Sequence, residues 1–408
     1  MVHALTESSA AQSRVAAITR DSYGRLLALL AAPTGDIASA EDALSDAFER
    51  ALQRWPQDGV PGNAEAWILT VARNRLRDLW KSSAYRLTRP LPDDHDPVEA
   101  SDEPAEIPDR RLELMLVCAH PAIAPDARTP LMLQTVLGVD AAAIAGAFAV
   151  APATMAQRLV RAKKRVRDAR IPFVLPERAD LADRLPGVLE AVYGAYAIDW
   201  QSTPQGAVLD SLSTEALHLA LILAELLPDE PEVLGLAALL SLCEARRDAR
   251  HDADGRFVPL DAQDAARWDR AVIECGERML TRAHGFSSPG RFQYEAAIQS
   301  AHCARPVDRA ALRRLHRALV RIAPTLGAVV ALAALDGEID GPRAGLRSLD
   351  AIDDPAVTRF QPAWVTRAHL LSRAGRTDDA VRAYRRAIEL TPQAEVASYL
   401  RRTLDGLT

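Results

Sequence analysis

The stretch from Val139 to Arg170 is the feature that most constrains this chain. Its first part, up to Phe148, is rich in alanine and predicts a short helix. Pro152 has no backbone N–H to donate, so it ends one helix or opens the next. From Thr154 onward, apolar residues recur at the spacing of one helix face: Met155, Leu159, Ala162 and Val166. The stretch therefore predicts two short helices with a tight break between them.

The second of these helices has a strongly basic opposite face. Seven Lys and Arg residues stand against one acid, Asp168, and two of the three lysines in the chain are among them. A helix-turn-helix requires this pattern, because its second helix lies in the major groove and reads base edges near its N-terminus. We interpret the following residues as base readers and phosphate contacts: Thr154, Gln157, Arg158, Arg161, Lys164 and Arg165. The alternative is a solvated basic face in an ordinary helical bundle.

Composition limits the class of protein. The length of 408 residues allows two to four domains, and alanine, leucine and arginine dominate, which predicts an all-α fold. The formal net charge of -6 excludes a basic nucleic-acid coat, so DNA binding must come from local patches. There is no signal-peptide pattern and no apolar run near the roughly 20 residues that span a bilayer. We therefore expect a cytoplasmic protein without membrane contact.

Motifs for catalysis or metal binding are missing from the sequence. The four cysteines are scattered without a C-x-x-C pair, which favours reduced thiols over disulfides or zinc. A calcium loop starting at Asp252 fails, because its sixth position is Phe257 and its twelfth is Gln263. There is no Walker loop, no H-E-x-x-H and no G-x-S-x-G. We expect a non-catalytic protein without a metal or other cofactor.

Three helices are predicted within residues 1–86, and two more, at 109–123 and 127–137, would pack under the helix-turn-helix. The first runs from about Ser13 to Leu30, and the second begins near Ser39 with AEDALSDAFERALQRW. The third begins at Ala64, carries a basic side and is flanked by Trp67 and Trp80. Arginine beside aromatic rings suits single-stranded nucleic acid, since bases stack on the rings and phosphates meet guanidinium groups. The alternative is that both tryptophans are core residues.

Two further segments differ from the rest in composition. Residues 90–108 hold five prolines and seven acids without Lys or Arg, which predicts an extended linker. Beyond Ile171 an Ala- and Leu-rich helical region runs to the C-terminus. Its last part, 362–400, matches one 34-residue tetratricopeptide repeat at these positions: Trp364, Gly375, Ala380, Tyr384, Ala387 and Pro392. We interpret the region as stacked helical hairpins.

Together these segments resemble a bacterial extracytoplasmic-function (ECF) sigma factor of the sigma-70 type, in the subgroup with a C-terminal tetratricopeptide-like extension. AEDALSDAFERALQRW is similar to the region 2 helix that docks on core RNA polymerase, and AWILTVARNRLRDLW to the promoter-melting helix. ATMAQRLVRAKKRVRDA resembles the region 4 recognition helix. WPQDGVPGN, CAHPAIAPDAR, RIPF and PDEPEVLGLAALL add to the subgroup likeness. Ser45 departs from it, since the family has glutamine there, and Ala153 and Ala156 offer little for base reading.

The resemblance implies a domain plan and sites. It places region 2 at 1–86, the acidic linker at 87–108, region 4 at 109–172 and the extension at 173–408. It implies polymerase docking by Asp42, Asp46, Glu49 and Arg50. It implies recognition of the melted minus-10 strand by Asn63, Trp67, Arg73, Asn74, Arg75, Arg77 and Lys81. The recognition helix would read the minus-35 element with the residues given above.

The implied partners are core RNA polymerase and promoter DNA, duplex at minus-35 and melted at minus-10. The extension would regulate the two regions by contacting them, or would bind a protein or ligand of its own. The linker either threads toward the RNA channel of the polymerase or is an inert spacer. The rival hypothesis is a helix-turn-helix regulator with a helical-repeat sensor that acts without promoter melting; a third is an adaptor that does not touch DNA. The segment 40–80 favours the sigma factor, because a repressor does not need it.

Overall fold

The computed structural model describes residues 2–81, 109–148, 150–200 and 210–407. The described chain is all-α: 76% of it is helix, and these ranges contain eighteen α-helices and no strand. The predicted fold class is therefore confirmed. The predicted linker at 87–108 lies outside the described residues. No helix within the described ranges is both long enough and apolar enough to cross a membrane.

The first three helices form one bundle, which we call the first bundle: α1 (Val2–Ala31), α2 (Ile37–Asp58) and α3 (Ala64–Lys81). Side-chain caps fix where α2 and α3 begin. The Asp36 carboxylate accepts the backbone N–H of Ser39 at 3.2 Å, and the Asn63 side-chain oxygen accepts that of Ala66 at 3.0 Å. Each cap satisfies a donor that the first helical turn leaves without a partner. The bundle starts earlier than predicted, because α1 extends eleven residues before Ser13.

The next four helices form the second bundle: α4 (Arg111–Cys118), α5 (Pro125–Thr135), α6 (Ala141–Ala147) and α7 (Pro152–Asp168). Asp140 caps α6 by accepting two backbone N–H groups. Pro152 stands at the first position of α7, where a missing N–H costs nothing. The apolar stripe predicted for α7 is buried in full, since Met155, Leu159, Ala162 and Val166 are each at most 4% exposed.

Helix α8 (Arg178–Trp200) packs with these two bundles in one compact unit that also includes the start of α9 (Asp210–Leu226). The Arg184 guanidinium points to the carbonyl of Leu116 at 3.5 Å. Gly187 lies beside the side chains of Ala119 and Met132. The unit therefore extends past the predicted end of the second bundle at residue 172, because the apolar face of α8 packs on α4 and α5.

The second compact unit contains the rest of α9 and all later helices. They are α10 (Pro231–Glu244), α11 (Arg270–Gly285), α12 (Arg291–Cys303), α13 (Arg309–Ile322), α14 (Leu326–Ile339), α15 (Pro342–Asp350), α16 (Gln361–Arg373), α17 (Thr377–Glu389) and α18 (Ala394–Asp405). From α11 onward each helix packs on its neighbours in sequence. Helices α10 and α12 are also joined through Glu232, whose carboxylate accepts the backbone N–H groups of Phe292 and Gln293 at 3.0 and 3.3 Å.

The segment that matches a tetratricopeptide repeat is a helical hairpin of α16 and α17. Gly375 makes the turn between them with φ +74, a left-handed backbone conformation that favours glycine. Ala380, Tyr384 and Ala387 are buried in the core of this hairpin. Four of the six positions that match the repeat therefore serve as turn and core residues, while Trp364 is half-buried and Pro392 is exposed.

Candidate nucleic-acid interface

The basic face of α7 is open to solvent over most of its length. Its predicted base readers Thr154, Gln157 and Arg161 are exposed, and so is Lys164. Their exposure follows from the burial of the apolar stripe on the opposite side of the same helix. The helix thus presents a row of hydrogen-bond donors and positive charge that a DNA groove would accept.

Two of the predicted contacts on α7 are held in place by the second bundle itself. The Arg158 guanidinium lies 3.2 Å from the Asp126 carboxylate and also donates to the Asp126 carbonyl at 3.1 Å. The Arg165 guanidinium donates to the carbonyl of Ala122 at 3.2 Å. Arg158 therefore points in a fixed direction before any DNA arrives, which lowers the entropy cost of recognition.

Helix α3 carries the second basic surface. Arg73, Asn74 and Arg77 are exposed, and Arg77 donates to the Asn74 side-chain oxygen at 3.0 Å. Lys81 ends the helix, and its side chain is outside the described part of the chain. Asn63 is exposed, and its side-chain oxygen caps α3, which leaves its amide nitrogen and one lone pair of that oxygen available to a base.

The tryptophan predicted for this surface is only half-buried. Trp67 meets the buried Trp55 edge to face, with ring centroids 5.5 Å apart. One side of its ring is therefore fixed by the core of the first bundle, while the half-buried remainder faces outward. The core interpretation therefore holds for the side that meets Trp55, and the stacking role stays a prediction for the other side.

The predicted polymerase-docking face lies on α2. Asp42, Glu49 and Arg50 are exposed. Asp46 is half-buried because its carboxylate lies 2.6 Å from the Arg75 guanidinium of α3. This pair connects the docking face to the basic surface of α3, so the structure brings together two groups of residues that the sequence kept apart.

Lys163 occupies a different place from the other basic residues of α7. Its ammonium lies 2.5 Å from the Glu41 carboxylate of α2, and the two side chains are only 11% and 18% exposed. Nearby, Arg167 lies 3.6 Å from the Asp36 carboxylate. Lys163 therefore does not belong to the exposed basic face of α7 in this conformation, because its ammonium faces the first bundle.

The sequence contains a signal for this pair. Lys163 stands four residues after Leu159 and three before Val166, so it borders the apolar stripe of α7. Glu41 stands in the same relation to Ile37 and Leu44 on α2. A single charge at the border of a buried face, matched by the opposite charge on another helix, is the expected pattern of a contact between two bundles.

The environment of Glu41 shows how tightly this contact is packed. Burial raises the pKa of the Glu41 carboxyl, while Lys163 lowers it. Burial also raises the pKa of Tyr23, and the charge of Glu41 adds to this effect. Cys118 is fully buried, and this burial raises the pKa of its thiol to about 12. Within the described residues no group of three or more His, Cys, Asp and Glu side chains is arranged to hold a metal ion.

Comparisons with known proteins relate two segments of the chain to families and two curated proteins to longer parts of it. Residues 19–85 match the sigma-70 region 2 model, and residues 184–284 match a family of unknown function. The chain is 34% identical over 383 residues to an uncharacterized protein of Rhizobium meliloti (strain 1021), covering 90% of each chain. It is 28% identical over 169 residues to the probable RNA polymerase sigma factor RfaY of Xanthomonas campestris, covering 38% of this chain and 41% of that protein. No solved structure matches.

Proposed function

We propose that this chain, which belongs to one family with the Rhizobium meliloti protein, directs core RNA polymerase to specific promoters and opens the minus-10 element. The sigma-70 region 2 match and the likeness to RfaY support a sigma factor of the sigma-70 family. The finer proposal assigns the chain to the ECF type. In it, the second bundle is region 4 and the second compact unit is a regulatory extension of tetratricopeptide type.

The observation that carries the proposal is the Asp46–Arg75 pair on the first bundle. A protein that only binds duplex DNA needs one basic helix, and α7 supplies it. This chain has a second basic helix, α3, joined through that pair to the acidic face of α2. A docking face fixed to a basic surface would hold the melted strand at a set position on the polymerase.

The two basic surfaces suit different forms of promoter DNA. On α3, arginines beside the half-buried Trp67 suit unpaired bases, which stack on the ring while guanidinium groups hold phosphates. On α7, Gln157 and Arg158 suit base edges in the major groove. Extruding a base from the duplex costs a few kcal/mol, so the first bundle needs the polymerase to bind promoter DNA well.

Run-off transcription with core RNA polymerase tests the proposal, on a promoter obtained by selection with the full chain. The full chain is compared with a chain that ends at Ala216, where the first compact unit ends, so that only the second compact unit is removed. Transcription from the full chain alone would make the extension an activating part, and transcription from the short chain alone would make it a brake. No transcription from either, with no co-elution with core polymerase, would contradict the sigma-factor proposal. Tight binding to duplex DNA without polymerase would then favour the helix-turn-helix regulator.

A further inference from the structure

The second compact unit contains a cavity of about 480 Å³. Its walls come from the loop segment 257–261, which precedes α11, and from four helices: α14, α16, α17 and α18. Sites for small organic molecules in other proteins measure about 300–1,000 Å³. The cavity therefore has the size of a small-molecule site, and the proposed function does not use it.

The charge on the cavity wall is negative. Asp261 and Glu338 line the cavity, whereas none of the lining residues that the structure describes is Lys or Arg, in a chain with 49 of these bases. The two carboxylates act at one place, because both attract the Arg309 guanidinium. Glu338 accepts a hydrogen bond from it at 2.7 Å, and this bond, with the charges of Glu338 and Asp261, raises the pKa of Arg309.

Arg309 leaves room for a second cation at these carboxylates. Its side chain is 54% exposed, so water can take its place at little cost. An ionised carboxylate also has about four lone-pair sites, more than one guanidinium fills. A cation that enters the cavity would therefore find acceptors on Asp261 and Glu338.

Tyr384 supplies a polar group that the fold leaves without a partner. Its side chain is 4% exposed and lines the cavity. A buried tyrosine hydroxyl usually has a hydrogen-bond partner, yet among the described residues Tyr384 has none. Burial raises the pKa of Tyr384, and the neighbouring Tyr399 adds to this effect, so the hydroxyl stays neutral. A ligand in the cavity would give this hydroxyl the partner that it lacks.

The rest of the wall suits an apolar or aromatic body. Val365, Leu370 and Leu400 contribute aliphatic side chains. The Tyr399 ring also lines the cavity and is held by Phe257, with ring centroids 5.7 Å apart. Aromatic rings attract organic cations, and carboxylates form strong hydrogen bonds with them. An anionic ligand would meet only repulsion from the charges of this wall.

We infer that this cavity binds a small organic cation, an amine or guanidinium carried on an apolar or aromatic body, with its charge at Asp261 and Glu338. The body would lie among the rings and aliphatic side chains, and Tyr384 would donate to it or accept from it. Such a ligand would tie the segment 257–261 to α14, α16, α17 and α18. The inference goes beyond the proposed function and does not rest on it.

Two series of matched compounds, tested on the full chain, examine the charge of the ligand. One series is 2-phenylethylamine, 2-phenylethanol and 3-phenylpropionate; the other is tryptamine, tryptophol and indole-3-propionate. Within each series the body is nearly constant, while the charge is positive, zero and negative. Saturation-transfer NMR of the ligand detects binding, and isothermal titration calorimetry measures Kd.

We expect at least one amine to bind with a Kd of about 1 mM or tighter, and about tenfold or more tighter than its alcohol. We expect neither carboxylate to bind. Failure of both amines to bind at about 1 mM would overturn the inference. Equal binding of each amine and its alcohol would overturn it as well, because the site would then not select a cation.

Substitutions locate the site. Glu338→Gln removes one charge with little change of shape and should weaken amine binding about tenfold. Tyr384→Phe removes only the hydroxyl and should weaken it severalfold. Glu389→Gln is the matched control, because Glu389 also pairs with one arginine, Arg386, at 2.9 Å but does not line the cavity. The same Kd in Glu338→Gln and Glu389→Gln would contradict the placement of the charge.

Two further measurements separate binding from folding. Thermal unfolding without ligand shows whether each variant is intact, and Asp261→Asn, in an exposed loop position, takes the place of Glu338→Gln if that variant does not fold. Hydrogen exchange of the wild type should slow in 257–261, α16, α17 and α18 when the amine is added. Slowing confined to other helices would put the amine elsewhere and overturn the inference.

Discussion

A β-carbon added to Gly24 would lie 1.9 Å from the carbonyl oxygen of Val136, so α1 and the end of α5 come together at a point where only glycine fits. Gly24→Ala should therefore separate these helices or strain them, at a cost of about 1–3 kcal/mol in the free energy of unfolding. Gly194→Ala is the matched control, because Gly194 also lies inside a helix and has no heavy atom within 4 Å of an added β-carbon. Chemical unfolding of both variants measures the difference. Equal stability of the two would contradict the close approach.

Arg158→Ala should weaken recognition of the minus-35 element by about 1–3 kcal/mol and relax sequence preference at one base pair. Arg158 is the proposed base reader, and Asp126 holds its side chain in place, so Arg158→Ala removes an oriented pair of hydrogen-bond donors. Arg158→Lys keeps the positive charge but loses the two parallel N–H donors of the guanidinium. Comparing it with Arg158→Ala therefore distinguishes base reading from simple attraction to phosphate. The measurement is binding of polymerase with each variant to a panel of minus-35 sequences. An unchanged preference in both variants would remove Arg158 from base reading.

Arg75→Ala should reduce promoter opening far more than it reduces stability. Both side chains of the Asp46–Arg75 pair are about 40% exposed, and such pairs contribute about 0.2–1 kcal/mol to folding. Permanganate reactivity of unpaired thymines measures opening, and chemical unfolding measures stability. Arg20→Ala, which removes an exposed arginine of α1 that belongs to neither proposed surface, is the control. An equal opening defect in both variants would mean that the loss of one positive charge accounts for the defect, and that Arg75 does not act on the melted strand.

The stability of the second compact unit should fall in mild acid because of His302. Burial, with the charges of Arg246 and His316 nearby, lowers the pKa of His302 from 6.5 to about 4. The folded chain therefore keeps His302 neutral while the unfolded chain takes up a proton near pH 6.5. Its stabilising effect is complete above pH 6.5 and is lost as the pH falls toward 4, by up to about 1.4 kcal/mol per pH unit. As the pH falls from 8 to 4, the melting temperature of His302→Gln should decline less steeply than that of the wild type. Parallel curves of melting temperature against pH would contradict this.

Much of the fold and of the candidate site followed from local patterns. Apolar residues at helical spacing predicted α2, α3 and α7, and the stripe of α7 is buried as expected. The exposure of Gln157 and Arg161 is the necessary counterpart of that burial. Pro152 opens α7, which is one of the two roles predicted for it. Helix α1 begins eleven residues before its predicted start, because the periodicity of apolar residues does not report where a helix begins.

The amino-acid order alone fixed which residues of each helix face the core, because helical periodicity is a local property that a few neighbouring residues define. It did not fix which helix packs against which. Lys163 belongs by composition to the basic face of α7, and only the approach of α2 turns it into the partner of Glu41. Likewise Gly24 has no special role until α5 meets it. Such contacts join residues more than a hundred positions apart, so they depend on how whole bundles pack, and local sequence carries little information about that.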